Sequence, residues 1–357
     1  MVTSLPLARF VQYTFVCLIA TAMSFSADPA IACSRVLYRG PDGAVITGRT
    51  MDWYQPLKTN LWAFPAGLER DGNGGKNSLT WTSEYGSVVA MCYDNLSADG
   101  MNEKGLVANV LYLSSSDYPD IEDGRPVLSM AAWAQYVLDS FSTVEETVTA
   151  LRKESFQLRG LTIPGGHKAT VHLAISDATG DSAVFEYLHK TLVIHHGRQF
   201  TVMTNDPPYD QQLALNEYWK EIGGSIMLPG TERAADRFVR AQYYLGESPQ
   251  TTDETKQVAS VFSVIRNVSV PIGASHPEKP NVSTTLWRTV ADQSRLIYYF
   301  ELTDRPNIFW LELEKLNFRK GQPARRLHVE GGPVMAGEVS TQFVENRTFK
   351  FAAGTDE

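Results

Sequence analysis

Cys33 is the residue whose type and position point most directly to chemistry. It follows Ala30-Ile31-Ala32, an A-x-A pattern typical of a signal-peptidase site. Cleavage there would make it the first residue of the mature protein, with a thiol and a free α-amine together. A thiol needs a neighbouring base or cation to ionise near neutral pH. An α-amine with a pKa of about 8 can be that base, so the position predicts a nucleophile that carries its own base.

Residues 1–32 have the features of a secretory signal. Arg9 gives a weakly basic start, the mainly apolar run 10–25 follows, and a short polar stretch leads to the proposed cut. The apolar run is too short and too interrupted for a bilayer-spanning helix, which needs about 20 apolar residues. We therefore predict a signal peptide over 1–32, cleavage between Ala32 and Cys33, and a periplasmic or secreted mature protein.

A different interpretation makes Cys33 the lipidated residue of a lipoprotein, and the chain a lipid-anchored binding protein. Such sites usually carry Leu three residues before the cysteine, whereas this chain has Ala30. From position alone the catalytic and the anchoring interpretations both stay open, and the residues that follow must decide. Our prediction is the enzyme, without a stable membrane anchor.

Composition limits the class of protein and of partner. Hydrophobic residues make up 43% and charged residues 20% of the chain, as in ordinary globular proteins. The formal net charge of -8 does not favour nucleic-acid binding. We therefore expect a small-molecule substrate and no nucleic-acid partner. Composition does not determine the oligomeric state; our prediction is a homo-oligomer, with a homotetramer as the candidate assembly.

The cysteines and histidines give no sign of a disulfide framework or of a metal centre. Cys17 lies in the leader, which leaves Cys33 and Cys92 in the mature chain. A bridge between them would consume the proposed nucleophile, and disulfide-dependent exported proteins usually carry more cysteines, so we predict two thiols. The chain has no HExxH motif and no Cys/His ligand spacing. We expect neither a metal nor an organic cofactor.

The elements that must position Cys33 are strands. Cys33–Tyr38 and Ala44–Arg49 flank the turn signal Gly40-Pro41-Asp42-Gly43, which predicts a hairpin at the mature N-terminus. Apolar residues at helical spacing within 127–158 then predict a helix pair, the second helix opening at a capping box from Ser142 to Glu145.

The rest of the chain alternates between strands and helices. Four runs between residues 170 and 204 predict an antiparallel meander, and residues 325–357 look like a polar C-terminal extension with one or two short strands. The other predicted helices are Tyr209–Ile222, Glu232–Leu245 and Asp253–Val264, and the other predicted strands are Leu79–Trp81, Ser87–Cys92, Leu106–Tyr112, Thr284–Asp292, Leu296–Glu301 and Asn307–Leu313. No linker or repeat divides residues 33–357, which predicts a single α+β domain of layered sheets and helices.

Five short motifs follow the proposed cut in a fixed order. They are Cys33-Ser34-Arg35, Gly48-Arg49-Thr50-Met51-Asp52-Trp53, Met101-Asn102-Glu103-Lys104-Gly105-Leu106, Met203-Thr204-Asn205-Asp206-Pro207, and Leu228-Pro229-Gly230 with Arg237-Phe238-Val239-Arg240. In this order the set resembles the choloylglycine hydrolase and penicillin V acylase family of N-terminal-nucleophile amidohydrolases, over most of residues 33–302. The resemblance implies a four-layer αββα sandwich and hydrolysis of linear amide bonds. The leader and residues 284–289 are similar to the Gram-negative branch.

The resemblance implies roles for residues beside Cys33, which would be the nucleophile. Arg49 would place a permanent cation near the thiol, and Asp52 would accept from the α-ammonium. A spacing of three brings these two side chains together only if the strand bends. Without an upstream cysteine, an ordinary surface ion pair would be the simpler interpretation of both.

Three later residues complete the site that the resemblance implies. Asn205 would donate its amide to the developing oxyanion, although by composition it reads as a turn residue before Asp206. The backbone N–H of Tyr112 would be the second donor. Arg237 would orient the site from its helix, where a solvated arginine is the plainer alternative.

The sequence indicates less about the substrate than about the reaction. Many bile salt hydrolases carry Asn where this chain has Tyr112, whereas penicillin V acylases resemble it with Tyr. Among the aromatic residues near the hairpin, Trp53, Trp81 and Tyr85 are candidates to bind an aryl or fatty acyl group. We therefore predict penicillin V or N-acyl homoserine lactones as substrates, with conjugated bile salts as the alternative.

Overall fold

Two stacked β-sheets with helices on their outer faces make up the computed structural model of this protein. It describes residues 33–122, 124–273, 283–305, 307–346 and 348–355. The predicted signal peptide, residues 1–32, lies outside the described residues. Within the described ranges, no helix is long and apolar enough to cross a membrane.

The strands are mostly short and antiparallel. In chain order they are β1 (Ser34–Arg39), β2 (Val45–Trp53), β3 (Asn60–Phe64), β4 (Glu69–Asp71), β5 (Thr80–Thr82), β6 (Ser87–Cys92), β7 (Leu96–Asn102), β8 (Val107–Tyr112), β9 (Val127–Ser129), β10 (Gln157–Arg159), β11 (Leu161–Thr162), β12 (Lys168–Ala169), β13 (Val171–Ser176), β14 (Ser182–Leu188), β15 (Thr191–His196), β16 (Val202–Met203), β17 (Thr284–Asp292), β18 (Ile297–Leu302), β19 (Ile308–Glu312), β20 (Arg325–Leu327), β21 (Gly337–Glu338) and β22 (Val344–Glu345).

Five α-helices are described. They are α1 (Trp133–Ser140), α2 (Val144–Leu151), α3 (Tyr209–Ile222), α4 (Ala234–Gly246) and α5 (Glu254–Asn267), with short 3-10 turns at Met130–Ala132, Leu313–Lys315 and Ser340–Gln342. The predicted helix over Tyr209–Ile222 is confirmed to the residue, and Asp253 caps α5 by accepting from the Lys256 backbone N–H (3.1 Å).

The hairpin of β1 and β2 is confirmed, and it lies inside the first sheet. That sheet has the order β16-β1-β2-β17-β18-β19-β21, and the second has the order β15-β14-β13-β8-β7-β6-β3-β20-β22. All nine residues of β2 are buried, because the opposite sheet covers one face and helices α4 and α5 cover the side of β1 and β2. Burial on both faces means that the polar residues of this hairpin, such as Arg49 and Asp52, must find their partners inside the protein.

The layer order confirms the predicted αββα sandwich. Helices α1 and α2 pack on the nine-stranded sheet, and α4 and α5 pack on the seven-stranded sheet. Buried polar contacts join the two sheets, such as the hydroxyls of Thr47 and Ser176 at 2.8 Å. The contact between Tyr298 Oη and Asp99 joins them further along. The sheets are thus stacked face to face, with the core between them.

Three local predictions need correction. The helix predicted from residue 127 begins only at Trp133, because Val127–Ser129 pair with β10 instead. The capping box lies one residue later than predicted: Thr143 accepts from the Glu146 backbone N–H (3.2 Å) and Glu146 accepts in return. The fourth strand of the predicted meander, β16, pairs with β1 in the other sheet.

The C-terminal segment packs on the nine-stranded sheet. Strand β20 pairs with β3, and β22 pairs with β20, so the segment supplies that sheet's edge. Phe349 and Phe351 then pack their rings against each other with centroids 4.8 Å apart, and Phe351 stacks on Trp81 at 6.1 Å. These aromatic contacts anchor a segment that looked polar from its sequence.

Candidate active site

The Cys33 side chain lies at the start of β1, beside the middle of β2. It is almost fully buried. Its Sγ lies 3.8 Å from Arg49 Nη2 and 3.8 Å from Met51 Sδ. The backbone N–H of Asp52 donates to the same sulfur over 3.5 Å. A guanidinium and a backbone donor beside a sulfur stabilise its thiolate form.

Arg49 is held rigidly against the core. Its Nη2 donates to the Val110 carbonyl (2.9 Å), and its guanidinium carbon lies 4.6 Å from the centroid of the Trp287 ring. Cation–π stacking stabilises a guanidinium that has left water. The side chain is fully buried, so its charge is little screened by solvent and acts on the nearby thiol.

Burial and charge act on the Cys33 thiol in opposite directions. Burial raises its pKa above the ordinary value, and the Arg49 guanidinium opposes that rise. Burial raises the pKa of the second thiol, Cys92, to about 12, although Arg49 opposes that rise as well. Both cysteines are free, as predicted. Cys33 is therefore the thiol better placed to ionise.

Asp52 lies beside two threonine hydroxyls and Arg237, and its contact with the α-ammonium of a mature Cys33 stays a prediction. Its carboxylate accepts from the hydroxyls of Thr285 (2.6 Å) and Thr50 (3.3 Å) and lies 3.8 Å from Arg237 Nη1. Burial raises its pKa to about 6, opposed first by Arg237. The acceptor for the Cys33 N–H is the side-chain oxygen of Asn205. Asp52 holds Arg237, which in turn contacts Asn205.

Asn205 is the central polar residue of the site. Its Oδ1 accepts from the Cys33 backbone N–H and from Arg237 Nη2 (3.1 Å), and its Nδ2 donates to the Tyr112 carbonyl (2.7 Å). An amide NH₂ group carries two hydrogens, so the same nitrogen can also donate to a substrate oxygen. The structure thereby joins Cys33, Tyr112 and Asn205 across 93 and 172 residues of sequence.

Arg237 contacts the nucleophile's own residue rather than orienting it from a distance. From α4 its Nη1 donates to the Cys33 carbonyl (2.8 Å) and contacts Ser34 Oγ, and its Nε donates to the Glu232 carbonyl (2.9 Å). It is fully buried, and burial lowers its pKa. A planar guanidinium with five donors suits this multiple role.

A mostly apolar cavity opens beside Cys33. Its volume is about 70 Å³. It is lined by Cys33, Arg49, Met51, Trp53, Leu57, Cys92, Tyr93, Leu96, Ala98, Val110, Leu111, Tyr112, Met130, Ile163, Ala169 and Val171. The rings of Trp53 and Tyr112 lie edge to face with centroids 6.4 Å apart. Such a wall suits an acyl group rather than a charged ligand.

The structure does not bring Trp81 and Tyr85 to this cavity. Trp81 donates through Nε1 to Asp139 (2.9 Å) and stacks on Phe351. Tyr85 donates to Glu84 (3.1 Å). Sequence proximity to the hairpin suggested substrate contact, but β4 and β5 form a separate two-stranded sheet that carries Trp81 to the C-terminal segment. Of the three predicted aromatic residues, Trp53 alone lines the cavity.

Several cavity residues were missed from the sequence, although one signal could have found one of them. Arg49, Met51 and Trp53 alternate along β2, and all three line the cavity. Period-two spacing places alternate residues on one face of a strand, so extending the predicted strand past Arg49 would have identified Met51. Cys92 and Met130 come from distant elements and carry no such signal.

One group of possible metal ligands is present among the described residues. Ligand atoms of Glu145, Asp181 and His196 lie within 4.8 Å of one another. An ordinary contact explains their proximity, since His196 Nε2 lies 2.7 Å from Asp181 Oδ2. The group belongs to α2, the turn between β13 and β14, and β15, and is no part of the Cys33 site.

Two stacked sheets between helical layers, with a buried cysteine at the start of an inner strand, define the αββα class of amidohydrolase folds. The chain belongs to the choloylglycine hydrolase family of linear amide C–N hydrolases, whose family model matches residues 33–325. It is thus a hydrolase of linear amide bonds, as the sequence motifs predicted. The further placement in a Gram-negative branch stays a prediction.

The relatives and solved structures that this chain resembles include penicillin V acylases and bile salt hydrolases. The chain is 44% identical to a penicillin V acylase of Pectobacterium atrosepticum, over 96% of this chain and 98% of the relative. It superposes on the structure of a penicillin V acylase from Agrobacterium tumefaciens with a TM-score of 0.84 and 50% identity, covering 90% of this chain and 100% of that one. A bile salt hydrolase/transferase of Clostridium perfringens is 26% identical over 80% of this chain and 93% of the relative. The penicillin V acylases are the more similar of these.

Proposed function

We propose that this chain is a penicillin V acylase that also accepts N-acyl homoserine lactones, and that it acts through a thioester on Cys33. The observation that supports this proposal most directly is the set of contacts around Cys33. Arg49 and the Asp52 N–H contact its sulfur, and the Asn205 side chain accepts from its nitrogen. The similarity to two penicillin V acylases supports the substrate class.

The proposed reaction has two halves. Cys33 Sγ attacks the amide carbonyl, and its thiol proton passes to the α-amine of the same residue. Asn205 Nδ2 and the Tyr112 backbone N–H stabilise the oxyanion. The proton then passes to the departing nitrogen, which leaves as an amine and gives the thioester. Water, deprotonated by the α-amine, attacks the thioester, releasing the carboxylic acid and restoring the thiol.

The α-amine needed for this reaction requires removal of the leader. In the full chain the Cys33 nitrogen is part of a peptide bond, and an amide nitrogen is not a base. Cleavage between Ala32 and Cys33 would create the amine where the Asn205 side-chain oxygen already accepts from that nitrogen. The family match that begins at residue 33 supports this boundary. A periplasmic or secreted location follows from the same proposal.

A hydrolysis panel tests the substrate proposal. It compares penicillin V, penicillin G, acyl homoserine lactones of graded chain length, and glyco- and tauro-conjugated bile acids. We expect the highest kcat/KM for penicillin V or a lactone, because the cavity is small and its lining is mostly apolar. Faster hydrolysis of glycocholate or taurocholate would move the protein to the bile salt hydrolase side of the family.

Intact mass separates the enzyme from the lipid-anchored binding protein. We expect the mature protein to begin with an unmodified Cys33. A mass increase matching acyl chains on that residue would favour the anchor and remove the base from the proposed mechanism.

A homo-oligomer, with a homotetramer as the candidate, remains part of the proposal. Apolar side chains on one stretch of α3 and the loop after it are exposed, with Tyr218 at 57%, Ile226 at 96% and Met227 at 50%. Large exposed apolar side chains that cluster favour burial against another surface. Light scattering coupled to gel filtration gives the assembly size, and a monomer at all concentrations would contradict the proposal.

A further inference from the structure

We propose that Gln212 is a positioning residue that fixes Asn205 against the nucleophile. Gln212 lies on α3, is fully buried and is not among the residues that line the cavity. The inference rests on the proposed function, because it assigns Gln212 a part in that reaction.

The side-chain amide of Gln212 bonds the backbone on both sides of Asn205. Its Oε1 accepts from the Thr204 backbone N–H (3.1 Å) and lies 3.0 Å from the Thr204 hydroxyl. Its Nε2 donates to the Asn205 carbonyl (2.6 Å) and to the Pro207 carbonyl (2.7 Å). Both amide hydrogens and the oxygen are therefore used on residues 204–207.

This segment needs such support because it leaves regular structure at the site. Strand β16 ends at Met203 and α3 begins at Tyr209, so Asn205 has neither a strand nor a helix partner for its carbonyl. Gln212 provides that partner from the first turns of α3. The Thr204 hydroxyl also lies 2.9 Å from the Ala234 carbonyl of α4, the helix that carries Arg237.

The position of Asn205 matters on a scale of about an ångström. Its side chain must meet the Cys33 nitrogen, the Tyr112 carbonyl and the substrate oxygen together. Misplacement of a reacting group by about 1 Å can cost roughly 100-fold in rate. A backbone shift at Asn205 should therefore lower kcat more than it raises KM, since the oxyanion contact forms mainly in the transition state.

The test is Gln212→Glu in the mature enzyme with penicillin V as substrate. Glutamate keeps the oxygen that accepts from Thr204 and replaces the donor that serves the Asn205 and Pro207 carbonyls. The matched control is Gln257→Glu. Gln257 is also fully buried, on α5, and donates to Asp42 (2.9 Å) and to the Thr251 carbonyl (2.7 Å). Both substitutions remove two amide donations.

We expect Gln212→Glu to lower kcat by roughly 10- to 100-fold, with KM within about 3-fold of the wild-type value. Gln257→Glu should lower the melting temperature while keeping the wild-type kcat at temperatures where it stays folded. Equal kcat in the two folded variants would overturn the positioning role. Wild-type protein that does not hydrolyse penicillin V would instead refute the substrate proposal.

A second variant keeps the inference testable if Gln212→Glu does not fold. Thr204→Val preserves the side-chain shape and removes the hydroxyl beside Gln212 Oε1 and the Ala234 carbonyl. We expect a smaller fall in kcat, roughly 3- to 10-fold, at unchanged KM. An unchanged kcat in folded Thr204→Val would count against the inference.

Discussion

Replacing Asn205 by Asp separates the two functions that the structure gives this side chain. Aspartate keeps an oxygen that can accept from the Cys33 nitrogen and from Arg237, as Oδ1 does now. It replaces the Nδ2 donor, which lies 2.7 Å from the Tyr112 carbonyl, by a second acceptor. The substitution therefore removes the proposed oxyanion donor while preserving the contacts to the nucleophile's residue.

The expected loss follows from what one such donor contributes. Removal of an oxyanion donor costs roughly 10²–10³ in kcat, or about 2.7–4 kcal/mol of transition-state stabilisation. Asn205→Ala should lose at least as much activity. It also removes the side-chain oxygen that accepts from two buried groups, the Cys33 N–H and Arg237 Nη2. Because each unpaired group costs about 1–3 kcal/mol, its unfolding free energy should fall by several kcal/mol.

Steady-state kinetics with penicillin V and thermal melts measure both effects. Asn102→Ala is the control, since Asn102 is a buried amide that donates to the Leu138 (2.9 Å) and Phe141 (2.8 Å) carbonyls outside the site. It should lower stability and leave kcat of the folded enzyme unchanged. A rise in KM at constant kcat in Asn205→Asp would show that Asn205 binds the ground state, and would refute the oxyanion assignment.

Four further predictions follow from the site. Cys33→Ser should fold and lose nearly all turnover, because a hydroxyl is a much weaker nucleophile than a thiolate. Full activity in correctly processed Cys33→Ser protein would contradict the assignment of Cys33 as the nucleophile. One extra residue retained before Cys33, verified by mass spectrometry, should abolish activity by turning the amine into an amide. The carboxylate of Asp52 is ionised above a pKa of about 6, so kcat/KM should rise as the pH increases through that value. Asp52→Asn should be less active, and its kcat/KM should not show this rise near pH 6. Among lactones, kcat/KM should increase with acyl chain length until the cavity is full, because each buried methylene contributes up to about 0.8 kcal/mol of binding free energy. A kcat/KM that does not change with chain length would argue against an apolar acyl site.

Local patterns in the sequence located the central strands and helices but not the faces on which their residues lie. A spacing of three suggested that Arg49 and Asp52 meet only at a bend. Instead β2 continues to Trp53, with a register shift between Thr285 and Trp287 of the neighbouring strand. The two side chains serve different partners, and Cys33 reaches the side chain of Arg49 and the backbone of Asp52.

Long-range pairing was the part that no local pattern could supply. The pattern of 200–204 was that of a fourth meander strand, yet β16 crosses to the other sheet and pairs with β1. That crossing places Asn205 beside Cys33. Nothing in the local sequence singles out Gln212 within its predicted helix, and only the packing of α3 against the 204–207 segment shows why it is buried.

Rapid acid quench followed by peptide mass spectrometry tests the central claim most directly. The mature enzyme is mixed with excess penicillin V, quenched within one turnover and digested, and the mass of the N-terminal peptide is measured. The account predicts a peptide that begins with Cys33 and carries the phenoxyacetyl group as a thioester that hydroxylamine removes. Active enzyme whose acyl group lies on another residue, or whose chain begins before Cys33, would contradict it.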